Sequence, residues 1–234
     1  MISGVLFDKD GTLIDFRSTW VPAYLGVAAD LAEAAGGAGE LADELLIRLG
    51  FDRRTNHFRD DSPLLWCTNA QIADTWLREP ELRGIDVLAV VERHFTDLDR
   101  YPPQAVGDLP ALLTGLRQRG LCLGIATMDS YRSAHDTAIR LGIGDQFAFM
   151  AGSDSGFGTK PEPGMVLAFC EASGLAPSAV AMIGDTPADL EMGRRAGCGL
   201  VVGVLTGGAS AAVLEPLADH VVPDVMALPG LLSG

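Results

Sequence analysis

From Tyr101 onward the chain alternates short apolar runs with amphipathic stretches, and that alternation restricts its fold more than any other feature. Residues 108–119 read as a helix ended by Gly120, and 121–126 as a strand. Helix 131–141 precedes an apolar run at 146–151, helix 162–173 a strand at 179–183, and helix 187–196 a strand at 199–205. A last apolar run, 219–222, leads into a terminal helical piece. Strands separated by helices build a parallel sheet covered on both faces. Residues 2–7, an apolar run stopped by an acidic, glycine-containing turn, supply one more strand to it.

Between that first strand and Tyr101 the texture is helical. Ser18 or Thr19 caps a helix carrying Trp20, Tyr24, Val27 and Leu31, which Gly36 and Gly37 stop. A second helix covers 39–49 and ends at Gly50; Thr68 caps a third through Ile72 and Leu77; residues 85–98 suit a fourth. The stretch 51–67, rich in polar and aromatic residues, shows no regular period and is long for a plain connection. The expected fold class is therefore α/β: a parallel-sheet Rossmann-like core from residues 1–15 and 100–234, with an all-helical cap domain, 16–99, inserted into it.

A chain of 234 residues with 48% hydrophobic and 21% charged residues can bury a substantial core, which excludes a disordered protein. Its net charge of −14 argues against nucleic acid or an anionic membrane surface as partner, since both require a basic face. An anionic small molecule is compatible with it, because one metal ion and a few cations reverse the field inside a pocket. Only two lysines occur, Lys9 and Lys160, against fifteen arginines. The cysteines, Cys67, Cys122, Cys170 and Cys198, form no CxxC pair and read as small apolar residues in a reducing compartment. No signal peptide or membrane-length apolar run is visible, so the expectation is a soluble, cytoplasmic monomer or homodimer.

Ligands of open parallel sheets bind beyond the carboxyl ends of the strands. Here those ends run into Asp8-Lys9-Asp10-Gly11-Thr12, Thr127-Met128-Asp129-Ser130, Gly152-Ser153-Asp154 with Lys160 a few residues on, and Gly184-Asp185-Thr186-Pro187-Ala188-Asp189. Asp8 and Asp10, two apart on an extended segment, project to one side. With Asp185 and Asp189 they would form a four-carboxylate cluster of hard oxygen donors, which suits Mg²⁺. Lys160 and the Thr127 hydroxyl supply the opposite polarity, so a dianionic phosphate could bridge metal and lysine while a carboxylate attacks phosphorus in line. Singly, each piece has an ordinary reading. Asp-x-Asp-Gly makes turns, Thr127 could cap helix 131–141, a lysine is usually solvated, and Thr186 with Pro187 suits a plain helix start. It is their joint arrival at one sheet edge that indicates a site.

Taken together, Asp8-Lys9-Asp10-Gly11-Thr12-Leu13-Ile14-Asp15, Thr127, Lys160-Pro161-Glu162-Pro163 and Gly184-Asp185-Thr186-x-x-Asp189 resemble the four motifs of the haloacid dehalogenase superfamily. The likeness covers residues 1–15 and about 100–234 and is greatest to its phosphoglycolate phosphatase-like members, which carry a helical cap. That resemblance implies a Mg²⁺-dependent hydrolase of small phosphate monoesters. Asp8 would be the nucleophile, and Asp10 the acid and then the base, with its backbone carbonyl on the metal. Asp8 and Asp185 would be side-chain metal ligands supported by Asp189, while Thr127, Met128 and Lys160 would hold the phosphoryl group.

The superfamily is chemically mixed. Asp10 argues against dehalogenation, because a halide leaves without a proton, and residues 16–100 lack the lysine that a Schiff-base phosphonatase needs. A phosphoglucomutase-like phosphotransferase shares all four motifs and is the alternative. A binding protein that kept the fold and lost catalysis is disfavoured by the intact Asp8, Asp10, Lys160 and Asp185. Substrate selection is expected from the cap, with Arg17, Thr19 and Trp20 facing the site and Arg53 in the second candidate segment. Gly37-Ala38-Gly39-Glu40-Leu41-Ala42 fits a dinucleotide pattern but has no strand before it, and Gly158-Thr159-Lys160 is not a nucleotide-phosphate loop.

Overall fold

The structure, a computed structural model, describes all residues except Ala38, Asp60, Ser233 and Gly234, and all of their side chains except that of Trp66. The strands are β1 (Gly4–Phe7), β2 (Phe51–Asp52), β3 (His57–Phe58), β4 (Cys122–Ala126), β5 (Phe149–Ala151), β6 (Val180–Gly184), β7 (Leu200–Val204) and β8 (His220–Val222). The helices are α1 (Phe16–Ala34), α2 (Gly39–Arg48), α3 (Pro63–Trp66), α4 (Asn69–Trp76), α5 (Val87–Phe95), α6 (Leu109–Gln118), α7 (Tyr131–Arg140), α8 (Gly164–Ser173), α9 (Pro187–Ala196), α10 (Ala211–Leu214) and α11 (Leu228–Leu231). The chain divides into two compact units, Met1–Phe16 with Pro103–Gly234, and Arg17–Pro102.

The first unit is a six-stranded sheet in the order β5-β4-β1-β6-β7-β8, parallel throughout. Because side chains alternate across a strand, β1 divides its apolar residues between two layers. Val5 and Phe7 pack with Leu109, Leu113 and Ala134, while Leu6 packs on the other face with Met165, Phe169 and Met192. Each such buried side chain contributes about 1.5–3 kcal/mol relative to exposure. With both faces covered, β1 reads as a continuous apolar run that can only be a central strand. In register, Phe7 lies opposite Ile125 of β4 and Ile183 of β6. The ladder continues one step past β1 through the Asp8 amide, which donates to the Ile183 carbonyl at 2.8 Å. Asp8, Thr127 and Asp185 are thereby delivered to the same carboxyl edge.

The second unit is helical apart from a two-residue-strand ribbon. Thr68 caps α4 as its sequence indicates: its hydroxyl accepts from the Gln71 amide at 3.3 Å, and the Gln71 side chain accepts from the Thr68 amide at 2.9 Å. Thr68→Ala removes that reciprocal cap and is expected to cost about 1 kcal/mol, read as a lower urea midpoint at unchanged slope. The buried Trp76 ends α4 with its indole N–H on the Leu45 carbonyl at 3.2 Å. Asp86 caps α5, and α1 starts at Phe16, so Ser18 and Thr19 lie inside it rather than at its cap. Within 51–67 an Asx turn, in which Asp52 accepts from the Arg54 amide at 2.8 Å, and Asn56 at φ +52° bend the chain. β2 and β3 pair antiparallel across that bend, with the Phe51 and Phe58 rings tilted against each other at 4.4 Å between centroids. Among the described residues, no helix is long and apolar enough to cross a membrane.

Candidate active site

Three carboxylates meet at the carboxyl edge of the sheet. One oxygen from each of Asp8, Asp185 and Asp189 lies within 4.8 Å of the others, and all three residues are buried. Lys160, in the loop between β5 and α8, enters the same space: its Nζ is 2.5 Å from Asp8 Oδ1 and 2.5 Å from Asp189 Oδ1. Asp189 is held by the start of α9. Its Oδ2 accepts from the Thr186 amide at 3.1 Å and the Thr186 hydroxyl at 2.6 Å, while the Thr186 oxygen accepts from the Asp189 amide at 3.2 Å. The plain helix-start reading of Thr186 and Pro187 is therefore correct and coexists with the cluster. One carboxylate both caps a helix and faces the lysine.

On two sides of Asp185 there is room only for backbone. Gly11, at φ +83°, lies so close that a Cβ there would come within 2.4 Å of Asp185 Oδ2, and a Cβ on Gly207 would come within 1.7 Å of the same atom. The Thr12 hydroxyl lies 3.5 Å from Asp185 Oδ1 on another side. The turn carrying Gly11 is closed by the Lys9 carbonyl, which accepts from the Leu13 and Ile14 amides at 2.9 and 3.1 Å.

Electrostatics follow from this crowding. Burial, opposed by Lys160 but reinforced by Asp189 and Asp10, pushes the Asp8 carboxyl up to about 7. Burial and then the charges of Asp8 and Asp189 hold Asp185 well above the usual carboxylate range. Burial alone would lower the Lys160 ammonium, but Asp189 and Asp8 override it and keep the lysine charged. One ammonium does not compensate three carboxylates. Without a cation, protons on the raised Asp8 and Asp185 carboxyls offset that imbalance.

Thr127 continues the β4 ladder by donating its amide to the Ala151 carbonyl at 2.9 Å. Its hydroxyl oxygen accepts from the Asp129 amide at 3.1 Å, which leaves the hydroxyl proton to point elsewhere. It does not cap α7; Ser130 does, accepting from the Ser133 amide at 3.2 Å. Met128 follows Thr127, half-buried.

One expectation changes. The four-carboxylate cluster is three: Asp10 lies beyond the strand end, and its Oδ2 turns to the Lys9 ammonium at 3.0 Å instead. Within the helical unit, Thr19 and Trp20 are buried, and the Trp20 ring is stacked on Phe95 at 5.0 Å. Arg53 is exposed and paired with Asp43 at 3.6 Å. Arg17 donates to the Asn56 carbonyl at 2.8 Å and lies 5.3 Å from the Phe58 ring centre. Lys9 and Asp129 were not singled out as site residues. The signal that could have marked Lys9 is its being one of only two lysines, set between two aspartates.

Comparison with known proteins agrees with this geometry. The family model described as haloacid dehalogenase-like hydrolase matches residues 2–197. A phosphoglycolate phosphatase of Rhodobacter capsulatus is 30% identical, covering 100% of this chain and 98% of its own length. An N-acetylmuramic acid 6-phosphate phosphatase of Pseudomonas putida is 28% identical over 84% of this chain and 80% of its own. Among solved structures, a haloacid dehalogenase-like hydrolase of Streptococcus pneumoniae superposes with a TM-score of 0.69 at 20% identity, covering 99% of each chain. A HAD phosphatase of Thermococcus onnurineus gives 0.67 at 22% identity, covering 100% of this chain and 99% of its own. These two show a shared fold. With the family model spanning most of its length, and its acidic and lysine residues gathered at one sheet edge, the chain belongs to the haloacid dehalogenase-like hydrolases.

Proposed function

We propose that this hydrolase is a Mg²⁺-dependent phosphatase acting on a small-molecule phosphate monoester through an aspartyl-phosphate on Asp8. The observation that carries the reading is the meeting of buried Asp8, Asp185 and Asp189 with Lys160. Relatives named as phosphatases over most of their length support it.

The residues fit a hard divalent cation. All donors are buried carboxylate oxygens, and once ionised their charge exceeds what Lys160 supplies. Asp8 and Asp185 would hold the ion, with Asp189 and the Asp10 carbonyl beside them. A cation held there would offset the charge of the dianionic phosphoryl group and the approaching carboxylate, an effect worth several kcal/mol.

The chain's own groups do the rest. Lys160 and the Thr127 hydroxyl hold phosphoryl oxygens, with Met128 beside them. An Asp8 oxygen forms a bond to phosphorus as the bond to the leaving oxygen breaks, and Asp10 gives that oxygen its proton. In the second half-reaction Asp10 takes a proton from water, whose oxygen bonds to phosphorus as the Asp8–phosphorus bond breaks. Residues 16–99 act as the cap that selects substrate. Arg17 is the candidate there for a second anionic group, because its observed partners are a carbonyl and an aromatic face rather than a carboxylate.

The test is a panel of p-nitrophenyl phosphate, phosphoglycolate, N-acetylmuramic acid 6-phosphate and hexose phosphates, assayed with Mg²⁺ and with EDTA. Phosphate release is expected to fall more than about 100-fold in EDTA. Undiminished turnover in EDTA would remove the metal from the mechanism. Hexose-phosphate isomerisation outrunning phosphate release would replace the hydrolase with a phosphotransferase.

A further inference from the structure

Lys9 is enclosed. Only 1% of its side chain is exposed, and its Nζ lies 3.0 Å from Asp10 Oδ2 and 3.0 Å from Asp129 Oδ2. Asp129 is itself fixed from the first turn of α7: the Ser133 hydroxyl donates to Oδ2 at 2.5 Å and the Ser130 amide to Oδ1 at 2.9 Å. The Asp129 amide donates to the Thr127 hydroxyl oxygen at 3.1 Å. A continuous set of polar contacts thus runs from the rigid end of β4 and the start of α7, through a buried ammonium, to the Asp10 carboxylate, which is 24% exposed.

A buried ion pair is weak evidence for stability, since apolar side chains of similar volume usually serve as well or better. Its geometry is more informative. Asp10 stands on a turn past the strand end, and misplacement of a reacting group by about 1 Å costs on the order of 10²-fold in rate. Lys9 is too enclosed to touch a substrate. We propose that Lys9, anchored by Asp129 and Ser133, is a positioning residue that fixes the Asp10 carboxylate for proton transfer to the leaving oxygen. The proposal deepens the phosphatase reading and rests on it.

The leaving group provides a readout that a merely structural role would not move. p-Nitrophenolate departs with little need of a proton, whereas an alkoxide needs one. Because kcat/KM reports only steps up to release of the leaving group, the ratio of kcat/KM for an alkyl phosphate to that for p-nitrophenyl phosphate measures how well the acid is placed. Lys9→Met is expected to lower kcat/KM about 100-fold for the alkyl phosphate and less than about 10-fold for p-nitrophenyl phosphate. Lys9→Met leaves the Asp129 charge without its ammonium, so Lys9→Met/Asp129→Leu is made beside it and Asp129→Asn as a milder variant, each checked by thermal melting. The same direction of change is expected in every variant that folds. A wild-type ratio in the folded variants, or equal loss on both substrates, overturns the proposal. Asp10→Asn separates the two levels. If it abolishes the alkyl preference while the Lys9 variants keep it, only the positioning role fails; if Asp10→Asn itself keeps the wild-type ratio, the reading of Asp10 as acid fails with it.

Discussion

Asp8→Asn is expected to lower kcat at least about 10³-fold while raising the melting temperature of the cation-free protein at pH 8. The substitution is nearly isosteric, but an amide is too weak a nucleophile to attack phosphorus. Asp8 has the Lys160 ammonium at 2.5 Å on one side and two buried carboxylates on the other. It is ready to be used and costly to keep. Burial and the neighbouring acids make its charge unfavourable, pushing the group up to about 7, so neutralising it relieves the folded state. Loss of activity with gain of stability is the signature of a residue kept for chemistry. Phosphate release from p-nitrophenyl phosphate and a thermal melt check both halves, and acid-quenched wild type should carry a phosphoryl adduct that the variant lacks. Near-wild-type turnover in Asp8→Asn would end the aspartyl-phosphate account.

Stripping divalent cations is expected to make stability fall as pH rises from about 4 to about 7, in the opposite sense to ordinary acid denaturation. A carboxyl that titrates higher in the folded chain than in the unfolded one binds its proton more tightly when folded. Its contribution is complete below the unfolded value of 3.8 and is lost as pH climbs through the folded value near 7. At about 1.4 kcal/mol per unit, Asp8 alone accounts for on the order of 4 kcal/mol, and Asp185 acts in the same direction. A divalent cation takes the place of those protons, so Mg²⁺ should raise the melting temperature little at pH 5 and substantially at pH 8. An equal Mg²⁺ shift at both pH values would show that the ion does not bind at these acids.

The sheet, its helices and the residues at its edge were readable because each rests on local information. α9 runs from Pro187 to Ala196, the expected span, because Thr186, Pro187 and Gly197 mark its ends in the chain itself. Asp8, Thr127 and Asp185 converge because parallel strands in register must bring their carboxyl ends to one side. What escaped depends on contacts distant in sequence. The stacking of Trp20 on Phe95 joins two helices far apart in the chain, which no local pattern reports. The β2–β3 ribbon has strands too short for any period to register, and it depends on the pairing of Phe51 with Phe58. Asp10 left the carboxylate cluster because Lys9 is held by Asp129, 120 residues further on, and an extended-segment reading of Asp8 and Asp10 could not anticipate a third partner.

Asp185 is seated between two bare stretches of main chain, at Gly11 and Gly207. A methyl group at 207 and the acid's outer oxygen would claim the same volume. Residue 207 can therefore gain a side chain only after the acid is lost, whereas Gly11 stays tied to glycine by its backbone angle whatever stands at 185.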